Sequence, residues 1–312
     1  MNDHRTGGGK KSLHQLVPDL PLAQKRLVAK KLVKDGFSIS LICELLQLSR
    51  SSFYYQAHPG SYPDEVEVEE HLQKLAGKWV RYGYRRLTKQ MHREGRKVNS
   101  KRIRRLMRQL KLSRPPYKRK VRTTNSQHPY PRYPNLVADM EVTRPDQVWV
   151  GDLTYIRLHN DFVYLAVLMD VYTRAIRGWH LGRSLEGELS LTALKRALVS
   201  HKAEIHHSDQ GVQYAANSYI KLLRDNNIAI SMAEVGEPTQ NGYAERLMRT
   251  IKEEEVTLAE YADFTHAYLR IGQFLDDVYT HKRIHSALGY LTPAEFESQW
   301  QAQKVTQADF DC

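Results

Sequence analysis

Three apolar runs rich in β-branched residues constrain the fold of this chain more than any other feature of its sequence. They cover residues 148–156, 162–169 and 176–181, and only short polar segments separate them. Runs of this length and composition are typical of β-strands, and short connections favour antiparallel neighbours. The sequence therefore predicts a three-stranded meander in the second half of the chain.

The segments after the meander alternate between helical and strand patterns. In order, they are a helix over 189–200, a strand over 204–207, a helix over 214–225, a strand over 228–232, and helices over 239–258 and 264–280. The ribonuclease-H-like fold has this element order: three strands, then helix, strand, helix, strand and helix. We therefore expect an α/β core with a mixed five-stranded sheet and flanking helices over 139–260. A C-terminal helical extension over 261–300 and a tail over 301–312 are predicted to follow.

The whole chain carries a net charge of +12, and its basic residues are concentrated in the first half. Residues 1–135 contain 30 Lys and Arg against 10 Asp and Glu, whereas residues 136–312 contain 17 against 25. Between Lys74 and Arg122 there are 20 basic residues and a single acidic one, Glu94. Such a density repels itself unless a polyanion neutralises it, so we predict nucleic acid as the partner. The alternative is a surface that only keeps the protein soluble, but such surfaces normally mix both signs.

The N-terminal part has the periodicity of short helices. Residues 1–24 look weakly ordered, and apolar residues recur at helical spacing over 25–60, with a turn at Asp35 and Gly36. Ser49 can cap a following helix, which places Arg50 at the N-terminus of a would-be recognition helix. We therefore predict a helix-turn-helix-like module over 25–60 that contacts DNA. A small helical bundle that serves packing alone is the alternative.

A second helical module, rich in arginine, is predicted over 64–112. An apolar stripe runs along its last helix, and arginines fill the remainder of that helix. We expect these arginines to face outward, towards DNA phosphates. A basic, Pro-rich linker over 113–138 is predicted to follow the DNA as an extended chain. The predicted DNA-contact residues of the two segments are Arg85, Arg86, Arg102, Arg105, Arg108, Lys118, Arg119 and Lys120.

Composition argues against several other classes of protein. No run of about 18 apolar residues appears, and the N-terminus is polar, so we expect neither a membrane span nor a secretory signal. The two cysteines, Cys43 and Cys312, are too few for a disulfide framework or a four-ligand zinc site. Cys43 lies in an apolar helical pattern and is expected in the core. We predict a cytoplasmic, nucleoid-associated protein with no membrane partner.

Three carboxylates stand in contexts that suggest a joint site. Asp152 lies inside the first strand run, Asp209 directly follows the strand over 204–207, and Glu245 lies on the helix over 239–258. If the two strands are neighbours, both aspartates reach one edge of the sheet and the helix can present the glutamate. Three carboxylates can hold two divalent ions about 3.5–4 Å apart, as phosphoryl transfer requires. Hard oxygen ligands suit two Mg²⁺ (or Mn²⁺) ions and not zinc.

Several stretches carry a specific resemblance to a known family. They read WVGDLTYI from 149, MDVYTR from 169, HSDQGVQY from 207, NGYAER from 241 and YTHKRIHSALGYLTP from 279, joined by SRSSFYY from 49 and YGYRR from 82. The chain resembles the D-D-E transposases and the retroviral integrases. It is most similar to bacterial insertion-sequence transposases made from two overlapping reading frames, and it looks like their second-frame (OrfB) product. The resemblance covers roughly residues 25–297.

The resemblance implies that Asp152, Asp209 and Glu245 are catalytic metal ligands. It also implies that Lys252, two helical turns after Glu245, contacts the transposon end near the scissile bond; a solvated lysine is the alternative. The implied activity is hydrolysis at transposon ends followed by strand transfer into target DNA. A homo-oligomer assembled on duplex DNA is the expected active form.

Two other functions stay open on the sequence. In the resembling family an upstream-frame (OrfA-type) protein commonly supplies the main end-recognition module. This chain alone could therefore be a DNA-binding regulatory or inhibitory partial product that needs such a fusion for activity. A ribonuclease-H-like nuclease for RNA hybrids shares the fold, but the basic N-terminal half fits duplex DNA ends better.

The chain departs from the family pattern at two places and leaves one question open. Gly151 stands where many members have Thr, and residues 240–242 are Gln-Asn-Gly where many have Asp-Asn-Ala. Neither departure removes a predicted ligand. Tyr279, Arg283 and His285 either support the helix that carries Glu245 or contact DNA.

Other polar residues near the strands are interpreted as structural. Asp170 ends the second strand, and its companion Arg174 suggests a role in forming a turn. Of His206 and His207, one is expected to pack and the other to form a hydrogen bond.

Overall fold

The computed structural model describes residues 20–55, 62–112, 131–159, 161–234 and 236–310. The chain forms two compact units, one ending at Glu65 and the other beginning at Val66. Residues 1–19 of the segment predicted to be weakly ordered (1–24) lie outside the described residues, as do residues 113–130 of the predicted linker with Lys118, Arg119 and Lys120. A helix over Leu22–Lys34 begins inside the first of these segments, and a helix over Pro293–Phe310 covers most of the predicted tail over 301–312.

The first unit contains three short helices. They are α1 (Leu22–Lys34), α2 (Ile39–Leu45) and α3 (Arg50–Tyr54). Gly36 has a φ of +91° and makes the predicted turn after α1, in a conformation that glycine adopts without steric cost. The Ser49 hydroxyl accepts a hydrogen bond from the N–H of Ser52 at 3.1 Å, which confirms the predicted cap of α3. The buried side chains of the unit include Ala29, Ile42, Cys43, Leu46 and Leu48.

The second unit begins with three helices that belong to the same compact body as the sheet. They are α4 (Glu65–Lys78), α5 (Tyr84–Arg93) and α6 (Ser100–Gln109). Their apolar faces pack together around Leu72, Leu87 and Leu106, and Ile284 from the C-terminal part joins this cluster. The N–H of Ile284 donates to the hydroxyl of Tyr82 at 3.0 Å. The basic helices are therefore packed onto the rest of the unit.

The inner face of α6 is wider than the predicted apolar stripe. Arg102 is buried beside Ile103, Leu106 and Met107. With 3.6 residues per turn, positions i, i+1, i+4 and i+5 share one side of a helix, so a two-residue-wide inner face includes Arg102. The prediction that Arg102 faces outward is wrong, whereas Arg108 is exposed.

Arg86 of α5 is also turned inward, against expectation. Its guanidinium lies 3.3 Å from a carboxylate oxygen of Glu254 and 4.3 Å from the centroid of the Tyr82 ring. It also donates to the carbonyl oxygen of Arg81 at 3.2 Å. A buried carboxylate thus competes with solvent and DNA for this side chain, while the neighbouring Arg85 is exposed.

The sheet confirms the predicted mixed five-stranded arrangement. Its strands are β1 (Val148–Arg157), β2 (Phe162–Asp170), β3 (Ile176–Gly182), β4 (Ile205–Ser208) and β5 (Ala229–Met232). They are ordered β3-β2-β1-β4-β5, with an antiparallel meander of β1 to β3 and parallel pairing of β4 to β1 and of β5 to β4. This is the strand order expected for a ribonuclease-H-like core.

Helices cover both faces of the sheet. One face, with Trp149 at its centre, packs against α7 (Gly187–Ala197), α8 (Val212–Ala215) and α9 (Asn217–Asp225). The other, with Val150, packs against α10 (Gly242–Ile251) and α11 (Phe264–Gln273), and α12 (Pro293–Phe310) follows. The predicted helix over 214–225 is interrupted at Ala216, whose ψ of 138° is extended. Within the described ranges, no helix is both long and apolar enough to cross a membrane.

A buried ion pair holds the C-terminal part against α10. This helix continues as a π-helix over Lys252–Val256, and α11 continues likewise over Phe274–Lys282. Arg283, just after the second, donates to both carboxylate oxygens of Glu254 at 2.7 and 2.8 Å. Burial opposes ionisation of Glu254, yet Arg283 and Arg86 together hold the pKa of this carboxyl below its usual value.

Gly178 of β3 marks the closest packing of the sheet against α7. A β-carbon there would lie 2.3 Å from the carbonyl oxygen of Ala193 and 2.9 Å from the β-carbon of Ala197. Because backbone atoms cannot move aside cheaply, we expect Gly178→Ala to lower the free energy of unfolding by about 1–3 kcal/mol in urea denaturation. Gly77→Ala is the matched control, because α4 has open space there. It should raise the free energy of unfolding by about 0.5–1 kcal/mol. Wild-type stability of Gly178→Ala would contradict this packing.

Candidate active site

Asp152, in the middle of β1, and Asp209, just after β4, both lie beyond the stretch over which these two parallel strands pair. β1 and β4 pair only through residues 148–150 and 205–207. Beyond this stretch, β1 continues to Asp152, and the chain leaves β4 just before Asp209. Ligand sites in open α/β sheets lie in the crevice outside the carboxyl ends of such strands. The predicted adjacency of the two strands is confirmed.

A tight turn fixes Asp209 after β4. The N–H of Gly211 donates to Oδ1 of Asp209 at 3.0 Å. A β-carbon at position 211 would lie 2.9 Å from the same oxygen. Only glycine allows this approach without a shift, so the local sequence itself orients the carboxylate.

Glu245 lies in the first turn of α10, and its side chain is exposed. The N-terminal end of a helix carries a partial positive charge, which favours a carboxylate there. Since α10 packs across the face of the sheet that carries Asp152, it presents Glu245 to the same crevice.

Two hydrogen bonds anchor the start of α10 to both strands. The side-chain amide of Asn241 donates to the carbonyl oxygen of Gly151 at 3.3 Å, next to Asp152. Nε2 of His207 in β4 lies 3.1 Å from the carbonyl oxygen of Gln240. Neither role was predicted from the sequence, although polar residues directly ahead of a helix start are a signal for such contacts.

The charges of Asp209 and Glu245 act on Asp152. The pKa of Asp152 is raised to about 7, chiefly by burial and next by the charge of Asp209, with Glu245 adding to the effect. The N–H of Leu153, 2.7 Å from Oδ1 of Asp152, and the charge of Lys252 act in the opposite direction. The site therefore carries negative charge that the protein does not fully compensate.

This donor set fits a divalent cation. All three side chains offer hard oxygen ligands, which suit Mg²⁺ or Mn²⁺. A bound cation would stabilise the charged form of Asp152, which burial and the two neighbouring carboxylates disfavour. Within the part of the chain that the structure describes, their oxygens do not all lie within 4.8 Å of one another, so the cluster is open.

A second cluster of possible ligands is already neutralised by an arginine. Ligand atoms of Asp146, His201 and Glu297 lie within 4.8 Å of one another. The guanidinium of Arg177 lies 2.7 Å from Asp146 Oδ1 and 2.7 Å from Glu297 Oε1. We assign this cluster a structural role, in which it ties β3 to α12.

The structural interpretation of Asp170 is confirmed, with a different charged partner. This fully buried carboxylate accepts hydrogen bonds from the N–H and the hydroxyl of Thr173 at 2.7 and 2.6 Å. Arg177, at 4.0 Å, is the arginine whose side chain approaches it. Arg174 contributes only its backbone N–H, which donates to the carbonyl oxygen of Asp170.

Both histidines of β4 form hydrogen bonds, so the expected division of roles is only half right. His206 packs between Tyr214 and Tyr219, and its Nε2 lies 2.9 Å from the hydroxyl of Tyr219. Burial lowers the pKa of His206 to about 3 and that of His207 to about 4, so both are neutral. A β-carbon at Gly151 would lie 3.1 Å from Nε2 of His206, so the glycine matches this packing.

The residues left open near the C-terminus support α10. Arg283 is buried and pairs with Glu254 in the extension of that helix. Tyr279 is buried and contacts the ring of His285 edge-on, with centroids 5.0 Å apart. These contacts favour the first alternative, support of the helix that carries Glu245.

Lys252 lies on the same side of the core as the carboxylates. Its ammonium is 4.8 Å from the centroid of the Tyr155 ring in β1, and its charge lowers the pKa of Asp152. Among the other predicted contact residues, Arg50 and Arg85 are exposed, and Arg105 is partly exposed and donates to Gln109. Their contacts with DNA stay predictions.

The raised pKa of Asp152 predicts a pH-dependent stability of the metal-free protein. Between the ordinary value of 3.8 and about 7, the native carboxyl keeps a proton that the unfolded chain releases. Stability from this group is therefore lost as pH rises through that window. Asp152→Asn removes the ionisation, so we expect it to gain about 1–3 kcal/mol relative to wild type between pH 5 and pH 8.

Urea denaturation in EDTA at the two pH values measures this difference. Asp225→Asn, at an exposed position of α9, is the control and should show no such change. A difference between wild type and Asp152→Asn that does not vary with pH would contradict the electrostatic coupling at the site.

Comparison with protein families assigns most of the second unit. Residues 142–238 and 226–293 match two families described as integrase core domain, and residues 64–121 match the HTH-like domain family. The HTH-like match therefore falls on α4 to α6 and not on the module predicted over 25–60.

Relatives of this chain come from insertion elements. A 31 kDa protein of insertion element IS600 from Shigella sonnei is 35% identical, over 83% of this chain and 98% of the relative. The transposase for insertion sequence element IS904 from Lactococcus lactis subsp. lactis (strain IL1403) is 33% identical, over 70% of this chain and 87% of the relative. Among solved structures, the HTLV-2 integrase catalytic core domain has a TM-score of 0.38 and 16% identity, over 49% of this chain and 97% of that chain. Because of these sequence relatives and the match to the integrase core domain, the chain belongs to the insertion-sequence transposases.

Proposed function

We propose that Asp152, Asp209 and Glu245 form the catalytic site of this transposase. The observation that carries the proposal is the convergence of carboxylates from β1, the end of β4 and α10, close enough for two of them to raise the pKa of the third. Like charges held together cost stability, so such a cluster points to a cation and a reaction. The reaction is hydrolysis of a phosphodiester at a transposon end, followed by attack of the freed 3′-hydroxyl on target DNA.

The cofactor that suits this site is Mg²⁺ (or Mn²⁺), with two ions per active site. When bound, such ions activate the attacking oxygen and neutralise charge on the leaving oxygen. Asp152, Asp209 and Glu245 would hold them, and the anchored start of α10 keeps the third ligand in register with the first two. The chain's own contribution is therefore positioning and charge.

Lys252 is proposed to bind a phosphate of the transposon end beside the site. Its ammonium is close enough to influence Asp152, so a phosphate bound there lies next to the carboxylates. The Tyr155 ring beneath the ammonium restricts the side chain, and an ammonium is a hydrogen-bond donor that suits an anion.

Duplex DNA, at both the transposon ends and the target, is the proposed partner of the basic helices. The net charge of the N-terminal half and the exposed Arg50, Arg85 and Arg108 support this. Joining two ends to one target requires paired active sites, so a homo-oligomer on DNA is the proposed active form. An upstream-frame (OrfA-type) protein is a further proposed partner.

Removal of any one ligand is expected to abolish chemistry and to spare binding. Asp152→Asn, Asp209→Asn and Glu245→Gln should each lower end cleavage by about a thousandfold or more, because each loses a charged cation ligand. A gel assay on a labelled duplex that carries the inverted repeat of the element, with Mg²⁺, measures cleavage, and fluorescence anisotropy measures binding. Asp225→Asn should cleave like wild type. Full cleavage by any of the three variants would overturn the site assignment.

The same assay distinguishes an active transposase from the alternative, a regulatory or inhibitory partial product. The chain is tested alone and together with the upstream-frame protein. Cleavage by the chain alone supports the transposase in its simplest form. Cleavage only in the presence of the partner supports a partial product that needs the fusion, and EDTA should stop cleavage in either case.

Lys252→Gln is expected to lower end cleavage at 0.2 M salt by about tenfold, because one phosphate contact is lost. At low salt both proteins bind tightly enough to saturate the DNA, so most of the cleavage should return. Lys252→Arg should restore most of the activity. Lys195→Gln, an exposed lysine on the opposite side of the sheet, is the control. Wild-type cleavage by Lys252→Gln at 0.2 M salt would show that this lysine is merely solvated.

A further inference from the structure

A cavity lined by arginines lies behind the helix that carries Glu245. Its volume is about 250 Å³, and it is bounded by α10, by the turn between β2 and β3, and by residues 283–287. Four guanidinium groups and one imidazole line it, those of Arg86, Arg174, Arg246, Arg283 and His285. None of the described residues that line it is acidic. We refer to it as the arginine cavity.

The positive charge of the arginine cavity is only partly neutralised. Glu254 pairs with Arg86 and Arg283 from one side. Neither Arg174 nor Arg246 has a carboxylate within 4.0 Å among the residues that the structure describes. Four guanidinium groups thus face one carboxylate, and the excess positive charge favours binding of an anion.

The four guanidinium groups lie close enough to His285 to lower its pKa. Burial lowers the pKa of His285 well below its usual value, and the charges of all four arginines lower it further. His285 is therefore neutral and adds no charge of its own. An anion in the cavity would meet four fixed positive groups and a neutral imidazole.

Arg174 is oriented into the cavity at a conformational cost. Its φ of +62° places a residue with a β-carbon in the left-handed region, which is uncommon outside glycine and asparagine. Its guanidinium stacks 4.3 Å from the centroid of the Tyr243 ring. Its Nη1 is buried and has no hydrogen-bond partner. A buried guanidinium nitrogen without a partner is costly unless a ligand supplies an acceptor.

We propose that the arginine cavity binds a phosphate group of the DNA backbone, with Arg174 and Arg246 as its principal ligands. A guanidinium offers a planar fork of N–H donors that matches two phosphate oxygens. Tyr243, half exposed, stands at the mouth, so a strand can approach from solvent. The proposal deepens the proposed function and rests on it, since Arg246 directly follows Glu245 in α10 and a phosphate held here keeps the strand near the catalytic carboxylates.

The test measures DNA binding without divalent metal, so it does not depend on cleavage. The full chain, Arg174→Gln and Arg246→Gln are titrated onto a 30-bp duplex of mixed sequence by fluorescence anisotropy between 50 and 200 mM NaCl. Each variant should bind about threefold to tenfold more weakly at the highest salt. Each should also reduce the slope of log affinity against log salt by about 1, as expected for the loss of one phosphate contact.

Two controls separate the cavity from charge and from folding. Arg224→Gln removes an exposed arginine from α9, on the opposite face of the sheet, and should keep the wild-type slope. Arg174→Lys keeps the charge and should retain most of the slope. All variants are compared with wild type by thermal unfolding, and Arg246→Gln, at an exposed helix position, serves if Arg174→Gln does not fold. Wild-type affinity and slope in Arg246→Gln would overturn the proposal.

The imidazole of His285 reports directly on what occupies the cavity. Its pKa is followed by NMR of histidine-labelled chain, free, with the duplex, and with inorganic phosphate. The duplex should raise this pKa in wild type and in Asp152→Asn, but not in Arg246→Gln. A rise with phosphate and none with saturating duplex would overturn the DNA source and assign the cavity to a free anion; no rise with either would overturn the site. If a variant loses cleavage but the duplex still raises the pKa of His285, the result bears on the proposed catalytic residues and not on the arginine cavity.

Discussion

Three carboxylates of like charge have to be held together before any cation joins them, and this constraint shapes the core. The cost is evident at Asp152, whose pKa is raised to about 7 by burial and by its two acidic neighbours. Such groups stay close only if the backbone that carries them cannot relax. Parallel pairing of β1 with β4 fixes two of them, and the hydrogen bonds of Asn241 and His207 hold the start of α10 against both strands. The paired strands thus hold an electrostatically unfavourable arrangement, which is the one that the proposed reaction requires.

The arginines of the second unit divide into structural and available groups. Arg283 and Arg86 converge on Glu254 and thereby connect α5, the extension of α10 and the C-terminal segment. Arg177 does the same for β3 and α12 through Glu297 and its neighbours. Removing one partner of such a buried pair leaves an uncompensated charge, which typically costs about 3–5 kcal/mol. Charge density along the sequence therefore overstates the basic surface that is left for DNA.

Much of the fold and of the candidate site could be predicted because short-range patterns carry them. The strand runs are set by β-branched residues over a few positions, and the turn at Gly211 by the two residues before it. Side-chain direction could not be predicted in the same way. The direction of the Arg86 side chain depends on Glu254, its partner, which lies 168 residues further along the chain.

Sequence patterns alone are enough for the order of strands and helices, the charge asymmetry and the three carboxylates that stand in apolar or glycine-containing contexts. Periodicity and composition are local properties of the sequence, so they can be interpreted without knowing which residues meet in the fold. Tertiary contacts establish which basic groups are neutralised, that Asn241 and His207 anchor the helix of Glu245, and that Arg174 and Arg246 meet in one cavity. These are encounters between residues far apart in the chain, and the free energy of a charged side chain depends on the dielectric and the partner that it meets there.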